Sequence, residues 1–381
     1  MTIRNKKKII RSVTVPLSIG FFEEVMMKMK EEGYETVIVT SPGNELDNFK
    51  QRYPLERTIE LPMERRISIF KDMKSLWRMV NVLRKEKPYI VHSMTPKAGL
   101  VTIIAAWLTG VPIRIHTFTG LVWPTASGIK KYVLMFADWL ICMCASHIIP
   151  EGQGVLNDLR NHKVCRKQMK VLGYGNVKGV DMKRFDPARF AYVEKEDSRF
   201  RFIFVGRVVG DKGVNELVKA FDRLNKEYPF TKLTIVGAFE ENLDPLKDET
   251  LQLIQYHNSI QLCGAKYGDD LLEEYVKSDC YVLPSYREGF PNTVMEAGAM
   301  GLPSIVTDIN GSREIIISGE NGLIVKPKDI DSLYMAMREL LLNTNIRAKM
   351  AKNARMSIES RFEKNFVQKC LIDYYKEITK N

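Results

Sequence analysis

The stretch Glu288-Gly289-Phe290-Pro291-Asn292-Thr293-Val294-Met295-Glu296-Ala297-Gly298-Ala299-Met300-Gly301-Leu302-Pro303 decides how this chain reads. It follows a short apolar run, Tyr281-Val282-Leu283-Pro284, and passes through Pro291 into a helical segment. A helix N-terminus presents N–H groups without intrahelical partners and the positive end of a dipole, both suited to a phosphate. Here Asn292, Thr293 and Val294 would supply that N-terminus, and the glycines admit ligand and backbone at close range. Glu288 and Glu296 are eight positions apart; on one helix that is about 12 Å along the axis and off a shared face. The two carboxylates therefore have different tasks. Glu288, ahead of the helix, is placed to reach a sugar ring, and Glu296, a turn inside it, to accept hydrogen bonds from ribose hydroxyls. The plainer alternative is that both acids only favour the helix dipole.

Upstream, Gly206-Arg207-Val208-Val209-Gly210-Asp211-Lys212-Gly213 follows a strand and opens a helix. It sets two cations at the carboxyl end of a sheet, where open α/β sheets bind ligands. Arg207 can grip phosphate oxygens in a bidentate manner and Lys212 adds a point charge, together offsetting charge on a departing diphosphate. This is neither a Walker loop nor a GxGxxG fingerprint, since Gly173-x-Gly175 finds its third glycine one position late, at 179. A P-loop hydrolase and an NAD-dependent dehydrogenase are disfavoured on that ground.

Taken together, the Glu-x7-Glu segment and the Gly-Arg…Lys-Gly run resemble the donor site of retaining glycosyltransferases of family four. These have the α/β GT-B fold, two facing Rossmann-like parallel-sheet domains with a cleft between them. The likeness extends over nearly the whole chain. Val91-His92-Ser93-Met94-Thr95-Pro96-Lys97-Ala98-Gly99 is similar to the family's His-Thr/Ser-His-Thr-Pro-Lys-Ala-Gly run, and the stretch from Asn176 to Phe185 to the one that closes its first domain. The resemblance implies that His116, at the end of the strand-like run Val111–His116, lies near the transferred sugar; Met94 and Thr119 stand where further histidines often occur. A lone strand-end histidine is more often a satisfied structural residue. Gly20, in Ser18-Ile19-Gly20-Phe21-Phe22, falls where the family has a glycine-rich loop contacting acceptor and diphosphate.

At 381 residues the chain exceeds one ordinary core, and 45% hydrophobic with 27% charged residues is a soluble globular composition. Short β-branched runs at 9–15, 36–40, 90–93, 113–117, 147–150 and 170–172 alternate with helical patterns at 22–32, 68–85 and 96–108. The alternation restarts at 202–205, 232–236, 260–263, 280–284, 304–307 and 322–325. This argues for parallel sheets covered on both faces. The expected division is a first domain over 1–183, a linker over 184–199, a nucleotide-sugar domain over 200–362 and a final helix in 363–381 that returns to the first domain. The apolar region 132–149 reads as a buried helix, 130–144, followed by a strand, not as a membrane anchor. Six scattered cysteines without a CxxC pair read as reduced core residues, and no export signal is visible.

The net charge of +11 is uneven: residues 1–190 hold 31 Lys/Arg against 17 Asp/Glu, and the remainder is slightly acidic. The first half therefore seeks an anionic partner, read as a membrane surface or a lipid diphosphate and not as nucleic acid. Arg65 and Arg66, ahead of an amphipathic helix bearing Lys71 and Lys74, and Lys97 are the candidates for acceptor or membrane contact. Asp329-Ile330-Asp331 reads as a helix cap, and no cofactor or metal is expected. The resemblance implies sugar transfer from a nucleotide-sugar, a UDP-sugar first, to a glycan acceptor on a polyprenyl diphosphate at the inner face of the plasma membrane, for a bacterial surface polysaccharide. A GT-B sugar-nucleotide epimerase and a non-catalytic membrane-associated binding protein are the alternatives.

Overall fold

The computed structural model describes residues 7–64, 68–195, 197–240 and 244–380. Arg65 and Arg66 lie outside them. Tertiary contacts divide the chain into two units, one of residues 1–178 and 367–381, the other of residues 179–366.

The first unit is built on β1 (Lys8–Ser12), β2 (Glu35–Thr40), β3 (Arg57–Glu60), β4 (Ile90–Met94), β5 (Ile113–Phe118) and β6 (His147–Pro150). Around them lie α1 (Glu23–Glu31), α2 (Asn44–Arg52), α3 (Ile69–Glu86), α4 (Pro96–Leu108), α5 (Gly128–Cys144) and α6 (Gln153–Asn161). The strands run in the order β3-β2-β1-β4-β5-β6, and every pairing is parallel. Alternation along each strand feeds both faces: Ile9 and Val13 enter the core that also takes Tyr374 and Tyr375, while Ile10, Val91 and Val37 pack under α3 and α4.

The second unit repeats the plan. It has β7 (Phe200–Val205), β8 (Thr231–Val236), β9 (Ile260–Leu262), β10 (Cys280–Leu283), β11 (Ser304–Thr307) and β12 (Gly322–Val325), in the order β12-β11-β10-β7-β8-β9. Its helices are α7 (Val214–Glu227), α8 (Asp248–Tyr256), α9 (Gly268–Val276), α10 (Asn292–Ala299), α11 (Ser312–Ile315), α12 (Ile330–Leu342) and α13 (Thr344–Phe362). Helix α7 shows why: Val214, Leu217, Val218, Phe221 and Leu224, at helical spacing, are all buried in one core. Asp329 caps α12, its carboxylate accepting from the Ser332 N–H at 3.0 Å. In both units the strand order reverses beside the first strand, between β1 and β4 and between β7 and β10, and ligands of open α/β sheets bind at such a point.

The structure departs from the expectations in four places. Residues 57–60 form the edge strand β3, whose charged ends hid it. Residues 170–172 form no strand: Met169 makes a single bridge to Ile148, and the chain then turns through Gly173 and Gly175, both with positive φ. The segment 184–199 belongs by its contacts to the second unit, held there by Arg355 donating to the Phe185 carbonyl at 2.8 Å, whereas the last helix, α14 (Lys364–Thr379), is no departure and falls in the first unit from residue 367 onward. Finally, α5 is not a buried helix; Tyr132, Phe136 and Trp139 are exposed on it.

Candidate active site

In the second unit the site is assembled from the loops that follow β7 and β10. The turn Gly210–Lys212 after β7 ends at Gly213, whose φ of +72° suits glycine, and a Cβ there would come within 2.0 Å of the Pro284 carbonyl oxygen. Glycine is thus required for the two loops to touch. They are stitched by the Tyr286 N–H donating to the Asp211 carbonyl at 2.8 Å, by the Ser285 hydroxyl donating to the same oxygen at 3.2 Å, and by an Arg287–Asp211 ion pair at 3.2 Å. The consequence is that Lys212 Nζ lies 2.5 Å from Glu288 Oε1, both side chains mostly buried. The loop beyond Glu288 is pressed from the other side by Gly311, at φ +73°, where a Cβ would lie 2.2 Å from the Gly289 carbonyl oxygen.

Helix α10 begins directly after this loop, with Pro291 as its N-cap, a residue whose side chain makes no cap hydrogen bond. Thr293 accepts a hydrogen bond from Tyr281 Oη at 2.7 Å, and the same hydroxyl reaches the Val205 carbonyl at 3.3 Å, so one tyrosine joins β7, β10 and α10. Burial pushes the Tyr281 phenol well up, keeping it neutral. Glu296 is partly buried a turn into the helix, close enough to the buried Tyr275 and Tyr281 for its charge to act on both. Val294 is buried and Asn292 partly exposed. Arg207 sits on the same rim, half-exposed and paired with Glu240 at 3.0 Å. A cation and a carboxylate in contact at the switch point have the chemistry to receive a ligand with anionic and hydroxyl groups side by side, as a sugar diphosphate has.

His116, Gly20 and Lys97 belong to the first unit. His116 is 1% exposed on the face of β5 that α4 covers. Its Nδ1 is 2.8 Å from the Ser93 hydroxyl and its ring packs edge-on against Phe118. Burial lowers its pKa to about 3, so the ring is neutral. Gly20 lies exposed in the turn Pro16–Phe21 after β1. Lys97, at the start of α4, has its side chain 9% exposed and paired with Asp72 of α3 at 2.5 Å, which removes it from the free basic surface. Among the described residues no group of three or more His, Cys, Asp or Glu side chains could hold a metal ion.

The sequence signals missed the stitching residues Asp211, Tyr281 and Arg287. Tyr281 sits within an apolar strand and reads as core; only the pairing of β7 with β10 shows where its hydroxyl goes.

Residues 186–357 match the family described as Glycosyl transferases group 1, and residues 21–175 the Glycosyl transferase 4-like domain. The chain is 31% identical to the Staphylococcus aureus capsular polysaccharide biosynthesis glycosyltransferase CapM, over 98% of each chain. It is a GT-B glycosyltransferase of family four. This glycosyltransferase is also 30% identical to the Escherichia coli UDP-Gal:alpha-D-GlcNAc-diphosphoundecaprenol alpha-1,3-galactosyltransferase, over 82% of this chain and 81% of that one. Its fold is shared with Anabaena HepE, solved with UDP and glucose, at a TM-score of 0.80 and 16% identity over 97% of this chain and 100% of that one.

Proposed function

We propose that this glycosyltransferase moves a sugar, with retention, from a UDP-sugar to a hydroxyl of a lipid-linked glycan during synthesis of a bacterial surface polysaccharide. The observation that carries this reading is the Lys212–Glu288 contact at the second unit's switch point, with the start of α10 immediately behind it. Lys212 and Arg207 offset the charge that grows on the departing diphosphate, the α10 amides add their dipole, and Glu288 holds sugar hydroxyls while Glu296 receives those of the ribose. These fixed positive groups take the part that a divalent ion has in other transferases, so the reaction runs without a metal. With leaving group and acceptor on one face of the sugar, the acceptor proton passes to the departing phosphate oxygen. His116, neutral and buried against Ser93 and Phe118, acts by holding the end of β5 in place and not by touching the sugar. Of the relatives named above, the capsule enzyme supports the surface-polysaccharide role and the one acting on a diphosphoundecaprenol acceptor supports the lipid-linked acceptor; a place at the inner membrane face is part of the same proposal. No helix among the described residues is long and apolar enough to cross a membrane.

The test is transfer from a panel of UDP-, GDP- and ADP-sugars to a diphosphopolyprenyl-linked sugar, with the anomeric configuration of the product read by NMR. A UDP-sugar should be used and its configuration kept. Conversion of the donor without acceptor would indicate an epimerase, and inversion would remove the retaining reading.

A further inference from the structure

Helix α5 carries Ile129, Tyr132, Val133, Phe136, Trp139 and Met143 on its exposed side. Their spacing of three, one, three, three and four residues makes one continuous stripe on an α-helix. Phe136 and Trp139 stack on each other at 5.6 Å with their rings in the open. Soluble surfaces rarely hold so many large apolar side chains together unless something covers them.

The charges around the stripe say what that is. Within α5 the charged residues are Lys130, Lys131 and Asp138. Both lysines lie at the helix start, and the one acid is turned inward, where it accepts from Trp123 Nε1 at 3.1 Å. The outer face of α5 is therefore apolar and cationic with no carboxylate. In the same helical layer α4 packs against both α3 and α5. The first half of α3 repeats the mixture: Phe70, Met73 and Trp77 are exposed and interleaved with Lys71, Lys74 and Arg78. Aromatic rings flanked by lysines whose stems lie along apolar surface are the composition of a bilayer interface. Helix α5, at 17 residues, is about 25 Å long, short of the roughly 30 Å needed to span hydrocarbon.

We propose that α5, with the first half of α3, lies in the headgroup region of an anionic bilayer, its aromatic stripe below the phosphate level and its lysines at that level. This rests on the lipid-linked reading of the function and names the surface that reading needs. Helices of a parallel α/β unit run against their strands, so the starts of α3 and α5 lie at the carboxyl edge of the sheet, the edge at which such sheets bind ligands.

The experiment is co-flotation of the full-length protein with phosphatidylcholine vesicles made with and without phosphatidylglycerol. It compares the wild type with a variant carrying Tyr132→Ser, Phe136→Ser and Trp139→Ser. The wild type should bind the anionic vesicles, and lipids brominated in the acyl chain should quench its fluorescence, an effect lessened in Trp139→Phe and lessened further when Trp77→Phe is added. The triple variant should bind about a hundredfold more weakly while UDP affinity stays unchanged, with at most a small fall in melting temperature from the partly buried Trp139. Equal binding by variant and wild type, or no binding by the wild type, would overturn the proposal. So would a wild-type dimer in lipid-free light scattering that becomes monomeric in the variant, since the stripe would then join two copies. Transfer to a detergent-solubilised lipid-linked acceptor, measured in parallel, tests the function separately. That reaction fails if the function is misread and persists if only the docking surface is.

Discussion

Lys212 and Glu288 meet at 2.5 Å because Gly213 lets two loops close to van der Waals contact. Removing a preorganised charge aimed at a leaving group typically costs roughly 3–4 kcal/mol, so Lys212→Ala should lower turnover about a hundred- to a thousandfold. Arg207→Ala, at a more exposed position, should fall in the same direction. Steady-state transfer assays alongside circular dichroism check both; rates near wild type in both would remove the diphosphate assignment. Gly213→Ala should act through the same contact, lowering turnover without touching a charge, since its methyl cannot coexist with the Pro284 carbonyl in the present geometry. The candidates Arg207, Lys212, Glu288 and Glu296 stand out in the sequence by chemistry and spacing, and the structure brings two of them, Lys212 and Glu288, into contact. Asp211 and Arg287 do not stand out, because an ion pair linking two loops 76 positions apart leaves no local pattern. Lys97 read as a free basic residue for the converse reason: its partner Asp72 is on another helix.

At the scale of elements, the parallel strands were readable from β-branched runs, and the misses have physical causes. Strand β3, Arg57-Thr58-Ile59-Glu60, is a polar edge that borrows its order from β2. Helix α5 is apolar nearly all round, so hydropathy alone could not say which face packs on α4 and which faces outward. Its buried Asp138 has its pKa raised to about 7 by desolvation, only partly countered by the Trp123 hydrogen bond. The folded state therefore binds this proton more tightly than the unfolded chain, and stability should fall as pH rises from near 4 to about 7 and stay lower above it. Melting curves between pH 5 and pH 8 should show this fall, and Asp138→Asn should lessen it; an unchanged pH dependence in the variant would deny the buried carboxyl its part. Helix α4 offers a test with opposed signs. Helix propensity alone makes Gly→Ala stabilising by about 1 kcal/mol. At Gly99, however, the new Cβ would lie 2.4 Å from His116 Cε1, and overpacking of this kind costs about 1–3 kcal/mol. Gly99→Ala should thus lower the melting temperature, and a rise would mean that the His116 ring has room to move.

For the whole molecule, the same strand order appears twice, and in each unit the reversal point gathers the loops that carry the recognisable motifs. The doubling was legible because the strand-helix alternation stops and restarts; the unit boundary was not, since 184–199 is polar yet packs with the second unit. The charge asymmetry gives the metal-free reading its counterpart at this scale: the basic excess lies in the first half, while the second half relies on a few placed cations. Chelation with EDTA should leave transfer unchanged, and loss of activity restored by Mg²⁺ or Mn²⁺ would contradict a reaction run on Arg207, Lys212 and the α10 amides. The central claim is that one contact in the second unit grips the donor at both its diphosphate and its sugar. Its most direct test is calorimetric titration of UDP and of the preferred UDP-sugar into wild type, Lys212→Ala and Glu288→Gln. UDP binding should weaken markedly in Lys212→Ala and little in Glu288→Gln, whereas the extra affinity contributed by the sugar should vanish in Glu288→Gln, with turnover lost in both. Unchanged binding of both ligands in both variants would contradict it.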